Sequence, residues 1–170
     1  YPLVYSGSNN GQGSGWWHRW QCPVVFDHEQ KAVTWTDAGL PRVHTPGGAT
    51  TVSVGKSLAL HWESGSNPGK AYAAAAAFAE GWIYIGKCRY LPLALDQLFA
   101  LTAPPNKLPT IFRRFTGLLD ATGSASGAVA VPSAAPLVGI RLSIAMVVLD
   151  AKAPQSVAAL SGAWQLTVAP

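Results

Sequence analysis

The sequence predicts an all-β fold, an antiparallel β-sandwich with an extended N-terminal arm. Three observations carry that expectation. Charged residues make up only 12% of the 170, about half the usual share for a soluble domain, which argues against a solvated helical bundle, a coiled coil or an intrinsically disordered chain. Seventeen glycines and thirteen prolines punctuate the chain. Between those breaks, apolar residues recur at every second position, the period of a strand with one face in a core. A chain of this length buries roughly two-thirds of its unfolded surface, enough for one substantial core.

The elements follow in order. Residues 1–15, YPLVYSGSNNGQGSG, begin apolar, with Leu3 and Tyr5 on one face of an extended segment, and then become a Gly/Ser/Asn linker. This is the expected arm, and residues 16–170 are the expected single sandwich domain. WQCPVVF and KAVTWT read as strands around the polar turn DHEQ, and DAGLPRVHTPGG reads as a loop. TTVSV and KSLALHW alternate through Val52 and Val54, then Leu58, Leu60 and Trp62. ESGSNPGK is a turn. Five consecutive alanines in AYAAAAAFAE favour a helix by propensity alone, but the strand-like flanks make Tyr72 to Phe78 a strand whose small side chains allow close packing. GWIYIGKCRYLPLAL and FALT continue the β pattern, followed by IFRRFTGLL after an APPNKLP turn. The clearest strand is 137–149, where Ile140, Leu142, Ile144, Met146 and Val148 share a face opposite Arg141 and Ser143. AWQLTV closes the chain with Trp164, Leu166 and Val168 together. Nine or ten short strands without βαβ alternation define a sandwich of Ig-like or jelly-roll type.

From about Gly48 onward the order of features resembles a C-terminal Ig-like β-sandwich module of secreted proteins from planctomycetes and related bacteria. The residues that carry it are GLLDATGSASGAVAVPSAAPLVGIRLSIAMVVLDAKAPQSVAALSGAWQLTV, near 117–168. They hold an Asp-x-x-Gly turn, an alternating strand ending in Pro, a P-x-LVG-x-x-L strand ending in VLD, and a closing LTV. The resemblance implies secretion and a sandwich, and it implies no catalytic residue. Residues 1–47 fall outside it.

The net charge of +4 comes from 12 bases and 8 acids. Only Arg113 and Arg114 are adjacent, so the basic footprint of a nucleic-acid binder is missing and none is expected as a partner. No charge-free run of 18 apolar residues exists, so no membrane span is expected. The chain opens on Tyr1 and its single methionine is Met146, so either a leader has been removed or the sequence begins inside a longer protein. Cys22 and Cys88 are the two cysteines. A lone, widely separated pair suits an oxidising compartment; bonded, they close a 67-residue loop worth about 4 kcal/mol in the chain-entropy model. The alternative is two separate buried thiols.

Candidate chemistry is sparse. Asp27-His28-Glu29 alternates faces on a strand and needs distant partners to ligate a metal, so a polar turn is the simpler reading. There is no H-x-x-x-H, no C-x-x-C, no acidic calcium loop and no activated-serine pattern. No enzyme activity, cofactor or metal is expected. Trp16, Trp17, Arg19 and Trp20, with His18 between them, form the one unusual constellation. Its tryptophans either lie in the core, anchor a protein interface or stack on sugar rings. The expected function is a non-enzymatic extracellular structural subunit that self-assembles into a filament or surface layer, with Leu3 and Tyr5 of one copy pairing into the next by strand addition. The alternative is a carbohydrate-binding or adhesive module that recognises polysaccharide.

Overall fold

The computed structural model describes residues 26–27, 32–33, 41–86 and 89–170. Ten strands among them build two facing sheets. The four-stranded sheet runs β3 (Arg42–His44), β5 (Ser57–Glu63), β11 (Ser124–Ala130), β9 (Phe112–Arg113), all antiparallel. The six-stranded sheet runs β10 (Thr116–Leu118), β6 (Ala71–Ala77), β12 (Arg141–Leu149), β14 (Trp164–Ala169), β4 (Thr51–Ser53). Its sixth strand, β13 (Val157–Leu160), pairs with the end of β12 that β14 does not reach. The sequence therefore predicts the fold correctly at the level of an all-β sandwich. One pairing departs from the antiparallel rule, because the last strand, β14, runs parallel to β4.

The sandwich core forms where the period-two faces meet. Leu60, Trp62, Phe112 and Val129 from one sheet pack against Tyr72, Leu142, Ile144, Met146, Val148, Leu166 and Val168 from the other. β12 is a central strand and its Leu142–Val148 face is the core face, as its alternation predicts; Ile140 and Trp164 pack at the margin.

The opposite face of β12 and β6 is buried as well. There Ala75, Ala77 and Ala145 pack against Leu91 and Leu93, joined by Ile83, Ile85 and Phe99. These come from a third layer: the hairpin of β7 (Ile83–Gly86) and β8 (Arg89–Leu91), followed by α1 (Gln97–Thr102). This layer explains the alanines. β6 lies between two apolar layers, with Ala74 and Ala76 facing the sandwich and Ala73, Ala75 and Ala77 facing away. Larger side chains on either face would push the layers apart.

Three local expectations need correction. FALT belongs to α1, because Asp96 at its N-cap accepts the Phe99 N–H at 2.9 Å, the capping geometry that starts a helix. Residues 42–44, expected in a loop, form β3; Val43 is buried opposite Trp62. IFRRFTGLL is two strands, β9 in one sheet and β10 in the other. At the break Arg114 takes φ 52°, and its carbonyl accepts hydrogen bonds from Trp62 Nε1 (3.2 Å) and Tyr72 Oη (3.0 Å). Two core side chains, one from each sheet, thus hold the crossing. The Asp-x-x-Gly turn is present: Asp120 Oδ1 accepts from the Thr122 and Ser124 N–H groups, and Gly123 has φ 80°. A Cβ at Gly123 would strike the Ser64 carbonyl. The expected WQCPVVF and KAVTWT strands are described only at β1 (Phe26–Asp27) and β2 (Ala32–Val33), which pair antiparallel.

Candidate functional site

Two surface features stand out, a sheet edge that is unpaired among the described residues and an apolar hairpin face. The edge is made by β10. Its register with β6 places Gly117 opposite Tyr72, while Ala74 N–H donates to the Phe115 carbonyl and Leu119 N–H to the Lys70 carbonyl. Residues 115, 117 and 119 therefore direct their backbone groups toward β6. By strand alternation, Thr116 and Leu118 direct N–H and C=O away from the sheet. Gly117 lies on the core side, where a Cβ would come within 3.1 Å of the Tyr72 ring. Leu118 stands on the outer side, 71% exposed. No charged residue, proline or bulge lies within β10 to blunt the edge.

The neighbouring stretch of the same edge is treated differently. Beyond the reach of β10, β6 is covered by side chains of the third layer. Thr102 Oγ1 accepts the Ala76 N–H and lies 2.9 Å from the Ala76 carbonyl. Asp96 accepts the Phe78 N–H at 2.7 Å through Oδ2 while its Oδ1 caps α1. On the other side of the sheet, Ser161 fills the gap between β13 and β14 by bonding both the N–H and C=O of Met146. Backbone groups buried inside the layers are satisfied one by one, whereas Thr116 and Leu118 face outward.

The second feature is the outer surface of the β7–β8 hairpin. Ile83 and Leu91 point inward; the next cross-strand pair, Tyr84 and Tyr90, points out, with ring centroids 5.3 Å apart. Trp82 is 44% exposed and Tyr84 55%. At the hairpin base, held by the Ala94 N–H to Ala79 carbonyl bond, Phe78 and Leu95 are also exposed. Arg89 fixes the hairpin to the sandwich by donating to the Pro154 and Val157 carbonyls. Glu80 accepts from Gln165 Nε2 at 2.8 Å.

The outer face of the four-stranded sheet carries polar chemistry. His44 and His61 are direct cross-strand partners with rings stacked at 5.5 Å, and His44 Nε2 lies 3.5 Å from Glu63 Oε2. No group of three or more His, Cys, Asp or Glu side chains among the described residues is placed to hold a metal ion. Two carboxyls are held below the usual carboxylate range: Asp120 by the Thr122 hydroxyl and the turn N–H groups, and Asp150 by its hydrogen bond from Lys70. Both are structural ties, the second joining the start of β6 to the end of β12. No helix among the described residues is long and apolar enough to cross a membrane.

The residues singled out from the sequence, Leu3, Tyr5, Trp16, Trp17, Arg19, Trp20, Cys22 and Cys88, lie outside the described residues. Sequence reasoning missed both features above. Trp82, Tyr84 and Tyr90 could have been found, because GWIYIGKCRYL is apolar on both strand faces, which a solvent-facing layer does not require. Thr116 and Leu118 left no such signal, since an edge is set by the order of strands in the sheet.

No family model matches the chain, and no curated protein matches it. Among solved structures, it is similar to a superoxide reductase (neelaredoxin) from Ignicoccus hospitalis at 9% identity, covering 76% of this chain and 80% of that one with a TM-score of 0.35. The class defined by the fold is an all-β sandwich, in which β10 ends the six-stranded sheet among the described residues.

Proposed function

We propose that the protein is a non-enzymatic extracellular structural subunit whose copies join when residues 1–5 of one copy add as a strand to the β10 edge of the next. The observation that carries this reading is the outward N–H and C=O of Thr116 and Leu118 on an edge without charge or proline. Such an edge is a template for strand addition. Leu3 and Tyr5 project on one side of the added strand, and the ten-residue linker spans up to about 33–36 Å. A head-to-tail contact of this kind does not close on itself and so propagates. Low charge content and the resemblance to secreted modules support the reading.

Negative-stain imaging of three proteins tests it: the full chain, a form lacking residues 1–5, and Leu118→Pro. Proline at 118 removes only a donor that β6 does not use. Polymers of the full chain and dispersed, folded particles of both variants are expected. Polymers that persist in both variants, or a full chain that never polymerises, would refute the reading. The alternative, a polysaccharide-binding module, draws on the exposed Trp82 and Tyr84 rings and the partly exposed Tyr90 beside them, which could stack on sugars. Dispersed full-length protein retained on insoluble cellulose or chitin through those three residues would favour it.

A further inference from the structure

The outer face of the four-stranded sheet brings two imidazoles together. Strand alternation buries Val43 on β3, and Leu60 and Trp62 on β5, inside the sandwich, so His44 and His61 leave the sheet on its other side. They are direct cross-strand partners. Their rings stand nearly parallel, with planes 21° apart and centroids 5.5 Å apart. Glu63 lies on the same face of β5 and puts Oε2 3.5 Å from His44 Nε2; His44 and Glu63 both keep about half of their side chains open to solvent. The core lies on the opposite side of the sheet, so packing does not require this pairing.

We propose that His44 and His61 form a two-imidazole site for a divalent transition ion of the zinc, nickel or copper(II) class. Imidazole nitrogen is a ligand that all three ions accept. An ion bound about 2.0–2.1 Å from each nitrogen holds two adjacent ligand atoms about 3–3.4 Å apart. Cross-strand Cβ atoms stand about 4.5–5.5 Å apart, so two rings rising side by side meet that distance by turning about their Cβ–Cγ bonds, with the backbone in place. Glu63 is a positioning residue. It faces His44 Nε2 and leaves Nδ1 for the ion, and a carboxylate on the second ring nitrogen fixes the tautomer of a metal-binding imidazole. No group of three His, Cys, Asp or Glu side chains among the described residues surrounds an ion, so the remaining positions on it are taken by water. Ser126, the partner of His61 on β11, sets a hydroxyl in the same row, where it can hydrogen-bond to such a water. Arg42 is the cross-strand partner of Glu63, so the carboxylate offsets the guanidinium beside the site. The two ligands come from two strands, and β3 is a three-residue strand at the end of its sheet among the described residues. An ion held across the pair ties β3 to β5 and stabilises the folded chain by mass action. His44 and His61 form no sequence motif; the β3–β5 register alone makes them neighbours. The site lies on the sheet opposite β10 and is independent of assembly through that edge.

Isothermal titration of the full chain with NiCl2, beside His44→Gln, His61→Gln and Glu63→Gln, tests the site, with circular dichroism to establish that each variant is folded. The chain holds two further histidines and two cysteines, so the readout is the difference between parent and variants. One equivalent bound by the parent should be bound at least about tenfold more weakly by either histidine variant, because each loses the advantage of a second ligand held beside the first. Glu63→Gln should keep the stoichiometry and weaken binding by about tenfold. A second measurement needs no variant: in the unaltered chain, substoichiometric Ni2+ should broaden the ring-proton NMR signals of two histidines, His44 and His61, ahead of the other two. Identical Ni2+ binding in the parent and both histidine variants overturns the proposal, as does equal broadening of all four histidines. Weakening in only one histidine variant, the sign of a single imidazole ligand, overturns it too. So does a stoichiometry of half an ion per chain at these residues, the sign of an ion shared between two copies.

Discussion

Gly127 is where the sandwich tolerates least. It sits on β11 facing the core, and a Cβ there would lie 2.7 Å from Trp62 Nε1 and 2.9 Å from both Trp62 Cζ2 and the Arg113 carbonyl. The first distance is about 0.7 Å inside the 3.4 Å at which ordinary contact begins. Trp62 cannot yield that space easily. It is fully buried, packed edge-on to Phe115 at 5.2 Å and against Tyr72 at 6.0 Å, and its Nε1 is bonded to the Arg114 carbonyl at the sheet crossing. Gly127→Ala should therefore destabilise by about 1–3 kcal/mol, the usual range for overpacking, and lower Tm by roughly 3–10 °C for a chain of this size. Gly65→Ala is the control, since nothing lies within 4 Å of a Cβ there and its φ is not positive; it should be neutral or slightly stabilising. Urea unfolding of both variants, and of Gly127→Ala combined with Trp62→Phe, supplies the measurement. The smaller ring should relieve the clash, so the double variant should lose less stability than the two single losses together. A Gly127→Ala protein as stable as the parent, or strictly additive losses, would refute the packing argument.

Three further outcomes follow from the same contacts. Ile144→Asp places a charge at a fully buried core position and should yield no soluble folded protein; a folded variant in an expression and circular dichroism assay would show that the core face is misassigned. Thr102→Val leaves the Ala76 N–H without the hydroxyl that covers it and should cost about 1–3 kcal/mol by chemical denaturation, whereas Thr102→Ser should retain most of that. Asp120 and Asp150 both have pKa values depressed in the folded state, so their contribution is present above the unfolded carboxylate value near pH 4 and lost as pH falls through their lower folded values. Asp120→Asn and Asp150→Asn should flatten the acid limb of a stability–pH curve, and an unchanged limb would contradict the assignment.

What the sequence reveals and what it hides divide along physical lines. Alternation at Leu142–Val148 and at Leu60–Trp62 is legible, because one buried face at period two leaves a direct trace. The alanine run is legible as a strand only from its flanks, and its reason appears with the third layer, which buries the second face. The α1 helix is hidden because six residues are too few for a helical period to show, and the capping role of Asp96 depends on a geometry that the sequence does not carry. β3 is hidden because the four residues between Pro41 and Pro46 read as loop, while Val43 gains its place from Trp62 two strands away in sequence. The candidate edge is a topological fact: IFRRFTGLL looks like one strand until Arg114 hands the chain from one sheet to the other. The tryptophan constellation is conspicuous in the sequence and lies outside the described residues, whereas Trp82, Tyr84 and Tyr90 are legible only as a second apolar face of GWIYIGKCRYL, and which face points outward is set by the packing of Ile83 and Leu91 on β6 and β12.

The central claim is that β10 accepts a strand from another copy, and amide hydrogen exchange at Thr116 and Leu118 tests it most directly. Their N–H groups point away from β6 and have no backbone partner among the described residues, so at dilutions where the protein is dispersed they should exchange as open amides. In the assembled protein both should become protected by at least tenfold, while Gly117, already directed at β6, changes little. Fast exchange at Thr116 and Leu118 in assembled material would contradict strand addition at this edge.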